Sequence, residues 1–162
     1  MVDAVSRPTL DRWALDLAAV VATRGTCARR QVGCVLMDAR GHILATGYNG
    51  PAAALPHCRM NDGLFADAAE NVCHGHGFAS GQGLDACQAI HAEQNALLQC
   101  RDVSQIFACY VTVSPCVTCV KMLLNTSCQR VVFATPYADA ETARRWWTSG
   151  PRSREWIDLK SF

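Results

Sequence analysis

The chain has 162 residues, of which half are hydrophobic and 18% are charged. Its 15 basic residues nearly balance its 14 acidic ones, and they form no stripe that would follow a polynucleotide backbone. No apolar run reaches the length of a membrane span, and the N-terminus carries no signal-peptide pattern. These features predict one compact domain over residues 1–162, without nucleic acid or a membrane as its partner.

Ten cysteines are many for a chain of this size. A secreted disulfide framework is one explanation, but such frameworks are typical of smaller domains. We therefore expect a protein of the reducing cytoplasm, with some thiols bound to metal and others buried as small apolar side chains. The expected core thiols are Cys34, Cys100, Cys109 and Cys128.

The first third of the chain predicts one helix and a hairpin. Apolar residues at helical spacing indicate a helix that begins near Thr9 and runs to about Ala22. Two strands follow over residues 32–37 and 43–48, joined by a turn at 38–42. Asn49-Gly50-Pro51 ends the second strand.

Residues 51–86 show no sustained period, and a structureless loop this long inside a compact domain requires something that orders it. A second metal ion would do so, because the segment carries several soft ligands. These are Cys58, Cys73, His74 and His76.

The rest of the chain alternates helices and strands, and adjacent Trp146 and Trp147 should face the core and an interface. The predicted helices cover 84–99, a segment opened by Pro115, and 139–147; the predicted strands cover 106–113, 131–134 and 156–159. The resulting order, αββαβαβαβ, predicts an α/β fold with helices on the faces of a mixed sheet.

Two short motifs supply three soft metal ligands: His91-Ala92-Glu93, and Pro115-Cys116-Val117-Thr118-Cys119. One imidazole and two thiolates suit a zinc ion whose fourth position stays open for water. Glu93 lies two residues from His91, so we interpret it as a base beside the metal. This combination is typical of zinc-dependent base deaminases. The alternative is a structural zinc knuckle, or a thiol pair near a core histidine.

The sequence resembles the deoxycytidylate (dCMP) deaminases of the bacterial and phage type, within the cytidine deaminase-like superfamily. The resemblance spans roughly residues 9–160, and GYNG at 47–50 with HAE-x-NA at 91–96 points to the deoxycytidylate branch. Further matching stretches are CARRQVG at 27–33, LPHC at 55–58, CQAIHAEQNAL at 87–97, YVTVSPCVTCVK at 110–121, and residues 130–137. It implies a three-layer α/β/α sandwich around a central mixed five-stranded sheet.

The resemblance implies zinc-dependent hydrolysis of dCMP to dUMP and ammonia, the step that supplies dUMP for thymidylate synthesis. His91, Cys116 and Cys119 would bind the catalytic zinc, and Glu93 would carry protons. It also implies a homo-oligomer, between dimer and hexamer, with deoxycytidine triphosphate (dCTP) and thymidine triphosphate (dTTP) as effectors.

Substrate contacts follow from the same resemblance. Asn49 would hold the sugar, although an asparagine before glycine is equally typical of a hairpin turn. Tyr137 would lie near the 5′-phosphate. Either Arg29 or Arg30 would contact that phosphate, and we carry Arg30 forward. Further candidates for substrate contact are Ala92 and Ser114.

A second, structural zinc is a property of the phage type. Cys27 and Cys58 match two of its ligands, and Cys87, Cys73 and His74 are candidates for the other two. We predict the set Cys27, Cys58, Cys87 and His74. The alternative is that these side chains are unpaired thiols and surface histidines.

Two departures from the family pattern concern regulation and the pocket. The family loop GYNG-x-P-x-G has glycine where this chain has Ala54, and the proline has moved to position 51. We therefore expect an altered response to dCTP and dTTP. The position after Tyr137 is also an alanine, where some relatives have a polar or basic group.

Other functions have to be weighed against dCMP deamination. A deaminase of adenosine in transfer RNA shares the zinc motif but should carry more positive charge. Deamination of dCTP or of a 5-modified dCMP uses the same motifs. A zinc-stabilised binding module, without catalysis, differs from all of these because it would release no ammonia.

Overall fold

The computed structural model describes residues 7–55, 57–58, 78–79, 81–83 and 87–160. The helices within this part are α1 (Leu10–Ala22), α2 (Ala92–Gln99), α3 (Val117–Leu124) and α4 (Ala140–Thr148), with one 3-10 turn at Val103–Gln105. The strands are β1 (Gly33–Met37), β2 (Ile43–Tyr48), β3 (Gly50–Pro51), β4 (Ala89–Ile90), β5 (Ala108–Val113), β6 (Arg130–Thr135) and β7 (Glu155–Asp158).

Five of these strands form one mixed sheet in the order β2-β1-β5-β6-β7. Strand β1 runs antiparallel to both β2 and β5, whereas β5, β6 and β7 are parallel. Helices α3 and α4 connect the parallel strands, as parallel pairing requires. The segment before β1 therefore meets the segments after β2, β5 and β6 at one edge of the sheet.

Helices cover both faces of the sheet. The strand side chains alternate between the two faces, so Val35 packs with α1 on one side while Cys34 and Leu36 pack with α2, α3 and α4 on the other. The predicted α/β sandwich with a five-stranded mixed sheet is confirmed. Among the described residues, no helix has the length and apolar character needed to cross a membrane.

Two glycines let helices rest directly on the sheet. A β-carbon on Gly33 would collide with the carbonyl of Ala18 in α1. A β-carbon on Gly47 would collide with the carbonyl of Ala92, at the first turn of α2. Gly47, the first glycine of the GYNG motif, therefore allows the start of α2 to approach β2 closely.

A polar network joins the opposite end of the sheet to α1. Arg130, at the start of β6, donates to both carboxylate oxygens of Asp11 at 3.0 and 2.9 Å and to Glu155 at 2.8 Å. The hydroxyl of Tyr110 also donates to Asp11. Burial raises the pKa of Asp11, but the hydrogen bonds from Arg130 and Tyr110 outweigh it and lower the pKa overall.

Two predicted helix starts differ from the structure. Residues 89–90 pair with residues 50–51 as β4 and β3, so α2 begins at Ala92 and not near residue 84; residues 84–86 lie outside the described residues. Apolar spacing misled the prediction because strand partners 38 and 40 positions away are invisible to local periodicity. Helix α3 begins at Val117 with Cys116 as its N-cap, so Pro115 precedes the cap.

The predicted core residues are largely confirmed. Cys34, Cys109 and Cys128 are buried, whereas Cys100 is half-buried at the edge of the same core. Trp147 is fully buried and donates its indole N–H to the carbonyl of Glu155, while Trp146 is 48% exposed. The adjacent tryptophans therefore face the core and the surface, as their helical positions predict.

Candidate active site

The three metal-ligand candidates meet at the starts of two helices. His91 is the N-cap of α2, Cys116 is the N-cap of α3, and Cys119 lies in the first turn of α3. His91 Nδ1 lies 3.4 Å from each Sγ, and all three ligand atoms lie within 4.8 Å of one another. A tetrahedral zinc with ordinary Zn–N and Zn–S bonds would separate nitrogen and sulfur by about 3.6 Å. The donor set and its spacing therefore fit one zinc ion.

Local hydrogen bonds hold this arrangement. The side chain of Gln94 accepts a hydrogen bond from the backbone N–H of His91 at 2.8 Å, which completes the N-terminal cap of α2. The amide nitrogen of Gln94 lies 3.8 Å from the sulfur of Met122 on α3. Ser114, the residue after β5, donates its backbone N–H to the carbonyl of Thr135 at the end of β6. Both ligand-bearing helices thus begin at the same edge of the sheet.

The electrostatics of the cluster favour one thiolate before any metal binds. Hydrogen bonding from Cys119 lowers the pKa of Cys116 to about 4, with His91 contributing and burial opposing. The same contact, together with burial, raises the pKa of Cys119. The hydrogen bond to Cys116 raises the pKa of His91. A thiolate is the form of cysteine that binds zinc, so Cys116 would not have to lose a proton when zinc binds at neutral pH.

Glu93 lies beside this cluster, outside the group of three ligand atoms. Its side chain is buried, with only 4% of the residue exposed. Burial raises the pKa of Glu93 to about 7, although the positive charge of His91 opposes this. A carboxyl group with a pKa near neutrality can both accept and donate a proton at physiological pH.

One cavity of about 400 Å³ opens at this edge of the sheet. His91 and Cys116 of the cluster, and Glu93 beside it, line its wall. The structure also brings all five predicted substrate contacts to the same cavity, namely Asn49, Tyr137, Arg30, Ala92 and Ser114. Phe78 lines the wall as well, and sequence reasoning missed it because it lies in the irregular segment where no period marks a position.

Asn49 combines the two interpretations that the sequence left open. Its side-chain nitrogen donates to the carbonyl of Arg30, and its side-chain oxygen accepts from the N–H of Val32, both at 2.8 Å. These bonds shape the turn that precedes β1. One amide hydrogen and one oxygen lone pair of Asn49 are left for a ligand.

The two adjacent arginines differ in their contacts. The guanidinium of Arg29 donates to the backbone carbonyls of Ala79 and Gln82 at 2.6 and 3.4 Å. The guanidinium of Arg30 has no hydrogen bond or ion pair with any residue in the described part of the chain. Both line the cavity, so Arg30 is the arginine whose charge is available to an anion there.

Ser114 fixes the position of Tyr137. The hydroxyl oxygen of Ser114 accepts the backbone N–H of Tyr137 at 2.8 Å, and Ser114 is buried. This bond ties the segment after β6 to the end of β5. The hydroxyl hydrogen of Ser114 can still point into the cavity as a donor.

The predicted second zinc site is not assembled by the described residues alone. Cys27 and Cys58 are buried and Cys87 is half-buried. Within residues 7–55, 57–58, 78–79, 81–83 and 87–160, these three thiols do not form a group with all sulfurs within 4.8 Å. The fourth predicted ligand, His74, lies outside the described residues, as do Cys73 and His76.

Comparison with known proteins identifies similar sequences over most of the chain. Residues 8–135 match the family model described as the cytidine and deoxycytidylate deaminase zinc-binding region. Deoxycytidylate deaminase of Schizosaccharomyces pombe is 34% identical over 155 residues, which cover 93% of this chain and 45% of the relative. Deoxycytidylate deaminase of Mycobacterium phage D29 is 35% identical over 130 residues, which cover 80% of this chain and 97% of the relative. The chain thus spans less than half the length of the yeast protein.

The fold is also similar to that of solved structures. The dCMP deaminase of cyanophage S-TIM5, crystallised in complex with dCMP and dUMP, matches with a TM-score of 0.69. The match covers 95% of this chain and 99% of that one at 21% sequence identity. At this level of identity the likeness is one of fold.

Proposed function

This chain belongs to the cytidine and deoxycytidylate deaminase family, and we propose that it hydrolyses dCMP to dUMP and ammonia. One observation carries the proposal: a cluster of His91, Cys116 and Cys119 lies beside a buried Glu93, at a cavity whose wall includes Arg30. The guanidinium of Arg30 has no partner among the described residues. The relatives named deoxycytidylate deaminase support the choice of substrate.

The chemistry divides between the metal and Glu93. A zinc ion held by the three ligands supplies an activated water at neutral pH. Glu93 accepts a proton and delivers it to ring N3 of cytosine, and a second proton to the exocyclic amine. The balance is one water consumed: its oxygen becomes the C4 carbonyl oxygen of uracil, one hydrogen remains on N3, and the other leaves in ammonia.

Recognition of a monophosphate is supported at the mouth of the cavity. The guanidinium of Arg30, which is not bonded to any described side chain or carbonyl, suits a phosphate, because its charged planar N–H groups can pair with two phosphate oxygens. Asn49 and Ser114 retain polar atoms for the sugar and the base. Val32 and Val113 add apolar wall, which suits the faces of a pyrimidine.

The second zinc remains part of the proposal, with Cys27, Cys58, Cys87 and His74 as its ligands. The burial of Cys27 and Cys58 supports it, because cysteine thiolates are the usual ligands of structural zinc sites, which are closed to solvent. Elemental analysis tests it: we expect two zinc ions per chain, falling to one in Cys58→Ser with a lower thermal midpoint. One zinc in fully active protein would remove the second site.

Self-association, nucleotide effectors and a cytoplasmic location complete the proposal. Leu98, on the outer side of α2, is 73% exposed, which favours a subunit contact. Cys34, Cys109 and Cys128 are buried free thiols, which suits a reducing compartment. We expect dCTP and dTTP to change the kinetics weakly, because the family glycine of the GYNG loop is Ala54 here. Sigmoidal dCMP kinetics that dCTP makes hyperbolic would contradict that expectation.

A substrate panel tests the function. Purified zinc-loaded chain is given dCMP, dCTP, deoxycytidine, 5-modified dCMP and transfer RNA, and ammonia release is measured together with the loss of cytosine absorbance. We expect the highest kcat/KM with dCMP, and both signals slowed by about 10³-fold or more in Glu93→Gln. A protein that releases ammonia from none of these would be a zinc-stabilised binding module.

A further inference from the structure

Phe78 is an aromatic side chain of the cavity wall that has no part in the chemistry above. It is 48% exposed, so it lies toward the mouth of the cavity, whereas Glu93 and Cys116 are buried. An exposed aromatic ring at this place requires the backbone beneath it to be held, because a loose segment would let the ring move into solvent.

Arg29 provides that hold from 50 positions away. Its guanidinium donates to the carbonyl of Ala79 at 2.6 Å and to the carbonyl of Gln82 at 3.4 Å. The N–H of Gln82 also donates to the carbonyl of Ala79 at 3.0 Å. The guanidinium of Arg29 therefore joins the two carbonyls at the ends of a turn, those of Ala79 and Gln82. We refer to residues 78–79 and 81–83 as the clamped segment.

Two glycines of the clamped segment show what lies next to it. A β-carbon on Gly83, whose φ is +63°, would collide with the ring of Phe78, so the ring lies against the backbone of its own segment. A β-carbon on Gly81, whose φ is +85°, would lie 3.9 Å from the hydroxyl of Tyr137 and 3.5 Å from the side chain of Ala138. The segment thus runs between Arg29 and the residues after β6.

We infer that Phe78 is a substrate-binding residue, whose ring covers the pyrimidine and sugar of the bound nucleotide. Arg29 is the positioning residue that holds the ring there through the carbonyls of Ala79 and Gln82. This inference rests on the proposed function, since it concerns how the same cavity binds its substrate. It separates the two arginines: Arg30 acts on the phosphate, and Arg29 acts on the nucleoside part through Phe78.

The position of Phe78 supports contact with the nucleoside rather than the phosphate. A benzene ring offers no hydrogen bond to an anion, whereas it stacks well on a base and packs on a sugar. The catalytic cluster fixes the C4 end of the base deep in the cavity. An aromatic group nearer the mouth then meets the remainder of the ring and the sugar before the phosphate reaches Arg30.

The test compares five variants of the zinc-loaded protein with the wild type: Phe78→Ala, Phe78→Tyr, Arg29→Gln, the double variant Arg29→Gln/Phe78→Ala, and Arg30→Gln. Arg101→Gln, at an exposed position remote from the cavity, is the matched control for loss of one charge. We measure kcat and KM with dCMP and with deoxycytidine. We also follow amide hydrogen exchange across residues 78–83 without substrate.

Phe78→Ala should raise KM by about tenfold for both substrates, the size of one lost base–aromatic contact, with little change in kcat. Phe78→Tyr, which keeps the ring, should restore most of the affinity. Arg29→Gln should raise KM for both substrates and speed exchange in the clamped segment, and the double variant should be no worse than Phe78→Ala. Arg30→Gln should raise KM for dCMP alone.

Three outcomes would overturn the inference. If Arg29→Gln raises KM for dCMP alone, Arg29 is itself a phosphate contact. If the effects of Arg29→Gln and Phe78→Ala multiply, the two side chains act independently. If the wild type is active and the KM values of Phe78→Ala and Arg29→Gln equal those of the wild type, Phe78 does not touch the substrate. A wild type that turns over neither substrate overturns the proposed function first, and the assignment of Phe78 with it.

Discussion

The floor and the mouth of the cavity are built in different ways. At the floor, His91, Cys116 and Cys119 lie on the first residues of two helices whose packing on the sheet leaves them little freedom. At the mouth, the guanidinium of Arg29 donates hydrogen bonds to the backbone carbonyls of Ala79 and Gln82, in the segment that carries Phe78. In the proposed function, regular structure would therefore position the chemistry, whereas substrate binding would depend on contacts between irregular segments.

The largest effect should come from the floor. Glu93→Gln removes the proton carrier and should lower kcat by about 10³-fold or more, since positioned proton transfer is typically worth about 10²–10⁴. The zinc content should not change, because Glu93 is not one of the ligands. Glu141→Gln, on the exposed side of α4, is the control. Zinc lost from a folded Glu93→Gln protein would make Glu93 a ligand.

A region remote from both floor and mouth should affect stability without affecting catalysis. Asp11→Asn breaks the paired bonds to Arg130 and should lower the free energy of unfolding by about 1–3 kcal/mol at pH 7. The pKa of Asp11 is lowered in the folded protein. Its stabilising contribution is thus complete above the ordinary aspartate pKa of about 3.9 and is lost as the pH falls through the lowered value.

Urea unfolding of wild type and Asp11→Asn between pH 7 and pH 3 measures this difference, which should shrink toward the acid end. KM and kcat at pH 7 should match those of the wild type. A difference in stability that stays constant with pH would mean that the carboxylate charge of Asp11 is not its source.

At the mouth, Tyr137→Phe removes one hydroxyl and should have a smaller effect. We expect KM for dCMP to rise about tenfold, near the lower end for one hydrogen bond to a charged group. KM for deoxycytidine should stay within twofold, roughly the ordinary scatter of such changes. Steady-state kinetics with both substrates measures the contrast. Equal changes in the two KM values would remove Tyr137 from the phosphate end.

The smallest effect should come from the loop after β3. Ala54 has a φ of +71°, in the left-handed region that favours glycine. Ala54→Gly should raise the free energy of unfolding by about 0.5–1 kcal/mol, because relief of this strain exceeds the added entropy of the unfolded chain. Ala53→Gly, next to it, is the control and should not stabilise. Equal stabilities of wild type and Ala54→Gly would show that the backbone there is unstrained.

Much of the floor could be predicted from the sequence because its information is local. The HAE and PCxxC motifs point to the three residues that the structure brings together as candidate ligands, and the helical period after each motif predicts the elements that carry them. The mouth could not be predicted in the same way. Arg29 and Arg30 are the same residue type at adjacent positions, and what separates them is a pair of carbonyls near residue 80. Asn49 likewise fits both a turn and a ligand contact until its two bonds to the 30–32 turn are seen.

The close contact between Gly47 and the carbonyl of Ala92 bears on how far this chain can vary. Position 47 has no room for a β-carbon, and any larger residue there must lift the first turn of α2 away from β2. His91 precedes that turn while Cys116 belongs to another helix, so the lift would separate the ligands without altering either of them. Random mutagenesis should therefore find position 47 as intolerant as the ligand positions, although Gly47 never meets metal or substrate. In such a library the heavily exposed Leu98, on the same helix, should accept many replacements in the isolated chain.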